Sequence, residues 1–86
     1  MEIVAIPVDC IALFNKEGVP KPIKFRIVSD MGDQTIKVNQ IIHTDIEKLA
    51  GNPMYIFNCR SSIRDTNKNY QLKYELSTCK WMLYKI

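Results

Sequence analysis

The sequence predicts an all-β fold: a small antiparallel barrel of five or six strands, SH3-like in preference and OB-like as the alternative. Three observations predict it. Apolar and polar residues alternate at every step over Tyr70–Leu76 and again over Ile23–Ile27, the period of a strand with one buried face. Short polar segments, Asn15–Gly18, Ser29–Asp33 and Arg64–Asn69, separate the apolar stretches and carry turn-forming residues. The chain of 86 residues is also too small to cover two open sheet edges, so closure is favoured.

Taken in order, Ile3–Ile6 and Val8–Phe14 are β-branched, apolar stretches divided by Pro7. Proline cannot donate to a ladder, so Pro7 marks an edge, a bulge or a corner. After the turn that ends at Gly18, Pro20 and Pro22 stiffen the approach to the next strand. In that strand Ile23, Phe25 and Ile27 face in, while Lys24 and Arg26 face out. Gln34–Thr44 reads as one strand with Ile36 and Val38 inward and Lys37 outward. The alternation slips at Asn39-Gln40, and Ile41 and Ile42 are consecutive apolar residues. A bulge at Asn39 or Gln40 restores the inward face.

Thr44-Asp45-Ile46-Glu47 has the pattern of a helix capping box. Ile46 and Leu49 can share a helical face, and Gly51 and Pro53 stop the run. The sequence therefore predicts one short helical turn near residues 45–50. Strand resumes over Met54–Ser61, with Tyr55, Phe57 and Cys59 on one side. The final hairpin, Tyr70–Ile86, then supplies the floor of the core through Tyr70, Leu72, Tyr74 and Leu76. Its last strand carries the sole tryptophan: Trp81 and Leu83 share one face, and Met82, Tyr84 and Ile86 the other.

Four pieces of this chain stand out together: Pro22-Ile23-Lys24-Phe25, Ile36-Lys37-Val38, Tyr70-Gln71-Leu72-Lys73-Tyr74 and Trp81-Met82-Leu83. The succession resembles a group of short uncharacterised bacterial proteins with the pattern P-x-x-F … V … Y-x-L-x-Y … W-x-L. It spans most of residues 20–86 and leaves the first strand unmatched. The resemblance implies a small all-β fold and supplies no activity, cofactor or catalytic residue. Some members look like companions of DNA-repair polymerase genes.

Composition bounds the class. The hydrophobic fraction of 47% lies in the globular range of about 45–50%, so a single domain over 1–86 is expected. The net charge of +3 is unevenly placed. Residues 1–50 hold six basic and seven acidic side chains, giving −1; residues 51–86 hold six and two, giving +4. Cys10, Cys59 and Cys79 are an odd, scattered set and a poor disulfide framework. Glu2 stands where a secretory signal is basic, and Pro7 and Asp9 interrupt the first apolar stretch. A cytoplasmic protein with no membrane partner is the expectation.

Catalytic, cofactor-binding and metal-binding residues are all expected to be none. His43, the sole histidine, forms His-x-Asp with Asp45, short of the three or four ligands of a metal site. A Cys–His nucleophile would need His43 beside Cys59 or Cys79, yet Cys59 alternates with core-type aromatics. Asp30 and Asp33 fit a turn and lack the ligand ladder of a calcium loop. No glycine cluster can cradle a phosphate.

Two binding readings remain. The surplus apolar face of the last strand, Met82, Tyr84 and Ile86, suits protein contact, with an unknown partner or with a second copy. The outward Lys24, Arg26, Lys37 and Lys73 suit weak binding of single-stranded nucleic acid, as small barrels do through basic grooves.

Overall fold

The computed structural model describes residues 1–86 and consists of strands and turns without a helix. Its strands are β1 (Ile3–Phe14), β2 (Pro20–Ile27), β3 (Gln34–Lys37), β4 (Gln40–Leu49), β5 (Asn52–Ile63), β6 (Thr66–Glu75) and β7 (Lys80–Lys85). They form one seven-stranded sheet in the order β3-β2-β1-β7-β6-β5-β4. Every pairing is antiparallel. Neighbours in space are neighbours in sequence, except that β1 pairs with β7. The result is an up-and-down meander curled into a half-barrel.

The count is seven rather than five or six because the stretch expected as a single strand, Gln34–Thr44, breaks at Val38-Asn39. The Val38 N–H donates to the Ile23 carbonyl of β2 at 2.9 Å. The next side chain, Asn39, accepts from the Ser62 N–H of β5 at 2.8 Å. Consecutive residues are thus held by β2 and β5, each next to the end strand on its side of the sheet order, and the curled sheet is clasped at this corner. The expected bulge lies slightly later, between Ile41 and His43. Ile41 packs against the core and Ile42 is exposed.

The helical turn expected near 45–50 does not form. Residues 44–49 are strand, paired with β5 from Thr44↔Phe57 through Leu49↔Asn52. Ala50 and Gly51 both have positive φ, 51° and 74°, the signature of a tight type I′ hairpin turn. Gly51 therefore turns a hairpin where the sequence suggested a helix stop. An isolated helix of one or two turns is marginal in water. The β-branched Ile41, Ile42, Thr44 and Ile46 favour the strand, and its ladder satisfies one edge of β5.

Pro7 interrupts nothing: it lies within one continuous strand of twelve residues, opposite Met82 and just before the point where the pairing partner changes. Residues Ile3–Val8 of β1 pair with β7, and Asp9–Phe14 pair with β2. β1 thereby joins the two halves of the sheet. An additional bulge sits between Ile3 and Ile6, where Ala5 takes a φ of 47°.

The core forms where the halves meet. Phe25 and Ile36 come from β2 and β3; Phe57, Cys59, Tyr70, Leu72, Tyr74, Trp81 and Leu83 come from β5, β6 and β7. Rings contact along the chain Phe14–Tyr74–Trp81–Phe57–Tyr55, with centroids 4.8–6.3 Å apart. Tyr70, Leu72 and Tyr74 are the expected floor of this core. Leu76 is not: it lies past the end of β6 and is exposed.

Candidate binding surfaces

The outward face of the sheet gathers several of the singled-out residues. One row crosses it through Ile56, Lys73, Met82 and Pro7, which are successive ladder partners. Lys73 is buried although it points away from the core. Its Nζ lies 3.4 Å from Glu47 Oε1 and 3.7 Å from the centre of the Tyr84 ring. Its stem lies on the apolar row while its charge is satisfied by a carboxylate and an aromatic face. Lys73 is therefore engaged within the fold, apart from the other basic candidates.

Tyr84 and Met82 are half-buried on this face, whereas Ile86 leaves it. The cause is a bulge: Leu83 opposes Leu72 and Lys85 opposes Gln71, so Tyr84 is the extra residue on β7. Beyond it the alternation is reversed. Ile86 packs against the core and exchanges backbone hydrogen bonds with Glu2 at 2.8 and 3.0 Å. The three-residue apolar face expected from strict alternation is thus two residues and an inward anchor.

The basic candidates on β2 and β3 are placed as the alternation predicts. Lys24 and Lys37 are exposed and directly opposite one another, and neither has an acidic partner within ion-pair distance. Arg26 is committed. Its guanidinium donates to Asp9 Oδ2 at 2.7 Å and lies 4.0 Å from Asp33. The Asp9 hydrogen bond, with the charges of Asp9 and Asp33, holds the Arg26 pKa above its ordinary value.

The thiols and the histidine are not assembled into a site. His43 is exposed on β4, its Nε2 3.0 Å from Asp45 Oδ2, on the face opposite to the buried Cys59. Cys79 is exposed in the β6–β7 turn. Burial pushes the Cys10 and Cys59 thiols up to about 12, and the nearby Cys10 adds to the rise at Cys59. Both are held in the poorly nucleophilic neutral form. No group of three or more His, Cys, Asp and Glu side chains is placed to hold a metal ion.

A surface the alternation did not single out is the free edge of β4. This ten-residue strand pairs only with β5 and ends the sheet order. Ile42, Ile46 and Leu49 along it are 47%, 57% and 67% exposed, so apolar side chains flank unpaired backbone groups. The signal was in the sequence as the β-branched run from Ile41 to Ile46, which the capping-box reading obscured. Ser61 was also missed, although it continues the inward register Tyr55, Phe57, Cys59. Fully buried, its hydroxyl donates to the Lys37 carbonyl at 2.6 Å and lies 2.5 Å from the Tyr70 hydroxyl.

Comparison with known protein families, with curated proteins and with solved structures gives no match.

Proposed function

We propose that this protein is a non-catalytic cytosolic interaction module that works through protein–protein contact. The observation that carries the reading is β4, a long edge strand with a free ladder and exposed Ile42, Ile46 and Leu49. Sheet edges of this kind are templates for strand addition, and soluble proteins usually shorten, charge or cover them. Met82 and Tyr84 offer a second, separate contact surface, a half-buried apolar row on the outward face of β7. The cytosolic setting is supported by three cysteines that form no disulfide. A pull-down from native cytosol, repeated with Ile46→Lys and Tyr84→Asp, tests the reading. Loss of a partner or of self-association in either variant supports it. A chain that is monomeric and captures nothing with any version of the surface overturns it.

A second reading, single-stranded nucleic-acid binding, is favoured by one specific feature. Lys24 and Lys37 form a directly opposed like-charge pair with no counter-ion, an arrangement that costs stability and that a phosphate would relieve. On this reading a labelled oligonucleotide binds at low salt and is released as salt rises. Lys24→Gln with Lys37→Gln abolishes the binding. No binding at low salt removes the reading.

A further inference from the structure

We propose that β4 pairs with β4 of a second copy of this chain, antiparallel, about a twofold axis at Thr44. This rests on the interaction-module reading and names the partner and the register. A twofold axis perpendicular to a sheet edge places each residue opposite one on the same face. On β4 Thr44 and Ile46 are in register with the inward Phe57 and Tyr55, and His43, Asp45 and Glu47 lie on the other face. The bulge between Ile41 and His43 leaves Ile42 as the extra residue on β4, so the regular ladder runs from His43 onward.

Charge then selects among the remaining registers. An axis at Asp45 sets two carboxylates face to face. One at Ile46 sets Asp45 against Glu47 twice, and one at Glu47 opposes two glutamates. An axis at His43 opposes two histidines and runs the ladder into the bulge. An axis at Asp45 also sets His43 against Glu47, but only the axis at Thr44 joins opposite partners with no like-charge pair: His43 faces Asp45 of the other copy twice, threonine meets threonine, and the bulged Ile42 comes opposite Ile46 at each end. Each of these pairings is a favourable cross-strand type.

The monomer is prepared for this arrangement. His43 and Asp45 are joined through Nε2 at 3.0 Å, which leaves Nδ1 and carboxylate lone pairs for the second copy. Two such pairs about the axis close a ring of four groups. On the other face Ile46, 57% exposed, is covered by the second copy, with the bulged Ile42, 47% exposed, at each end of the contact. The charges on β4 thus oppose most edge pairings and permit one, which is how a sheet edge achieves selectivity.

Sedimentation equilibrium on the full chain tests the proposal through a charge exchange. His43→Glu puts like charges at both His43–Asp45 contacts and weakens dimerisation by about tenfold or more. Asp45→Lys removes both attractions and weakens it as well. A mixture of the two variants recovers dimer, because one contact becomes glutamate with lysine and the other remains His43 with Asp45. Circular dichroism and thermal unfolding confirm that each variant folds; Thr44→Lys, at the axis itself, serves if one does not. Recovery in the mixture establishes the register. A wild-type chain that remains monomeric at its highest soluble concentration overturns the proposal, as does a dimer that His43→Glu leaves intact. A monomer that still binds another protein through Ile46 or Tyr84 overturns this pairing alone and leaves the interaction-module reading in place.

Discussion

At the scale of single residues, Ser61 has the largest structural role for its size. Its hydroxyl donates its one proton to the Lys37 carbonyl, so it accepts from the Tyr70 hydroxyl and, at 3.4 Å, from the Asn39 N–H. One side chain thereby links β5, β6 and the β3–β4 corner. Ser61→Ala leaves the buried Tyr70 hydroxyl and the Lys37 carbonyl without partners and costs about 1–3 kcal/mol by urea denaturation. Tyr70→Phe removes a donor and leaves the serine bonded, so it costs less. In the double variant the tyrosine substitution costs little more, a coupling that a double-mutant cycle reads directly. The buried acids set the alkaline limit. Burial favours their neutral forms, raising Cys10 and Cys59 from 9.0, and Tyr70 from 10.0, to about 12. A folded-state pKa above the unfolded one stabilises fully below the unfolded value and less as pH rises toward the folded one. The thermal midpoint therefore falls from about pH 9 upward, as measured by circular dichroism across the alkaline range. At pH 8 an alkylating reagent modifies the exposed Cys79 readily, while Cys10 and Cys59 react mainly after denaturant is added, as mass spectrometry resolves. Part of the site chemistry was legible at this scale. Cys59 was placed inward by its alternation with Tyr55 and Phe57, but the engagement of Lys73 by Glu47 and Tyr84 crosses three strands and has no local signature.

At the scale of elements, the two-residue turns carry the most unusual backbone. Arg64 and Asp65, between β5 and β6, have φ of 51° and 63°, and Ala50 before Gly51 has 51°. For most L-residues the left-handed region costs roughly 1–2 kcal/mol, and glycine and asparagine enter it more readily. Arg64→Asn with Asp65→Gly gives the preferred type I′ pair and stabilises by about 1 kcal/mol. Ala50→Asn acts in the same direction, by less. Both shift the urea midpoint upward with an unchanged slope; a downward shift would show that the Arg64 side chain is needed where it is. Hairpins and their faces were readable from period and turn composition, as Tyr70, Leu72, Tyr74, Trp81 and Leu83 show. Two elements were not. Thr44–Glu47 satisfies a four-residue helix rule, but the nine-pair ladder with β5 outweighs it. The bulge at Tyr84 reverses the face of Ile86, and one-residue slips arise from pairing between strands, which neither strand encodes alone.

At the scale of the whole molecule, the sheet is joined by the most distant parts of the chain. β1 pairs with β7, and Glu2 and Ile86 exchange backbone hydrogen bonds, so this seam closes a loop of nearly the full chain. The meander from β4 to β7 can assemble from local hairpins. β1 can dock only when β7 is in place, and through it β2 and β3 cover Tyr70, Phe57 and Leu72. Topologies dominated by such non-local pairing fold in milliseconds to seconds, because loop closure must precede the contacts that reward it. Trp81 sits at this seam, opposite Val8 and with its ring tilted against that of Tyr74, centroids 4.8 Å apart, so its fluorescence reports docking of β1. Stopped-flow refolding followed at Trp81 is expected in that millisecond-to-second range. Val8→Ala removes packing next to the indole and destabilises the fold. Because the β4–β5 hairpin is local, Ile46→Thr, at an exposed edge position, leaves the refolding rate within about twofold of the original. The contrast separates seam from hairpin. If refolding is complete in microseconds, or if Ile46→Thr slows it more than Val8→Ala, closure of the β1–β7 seam is not the slow step.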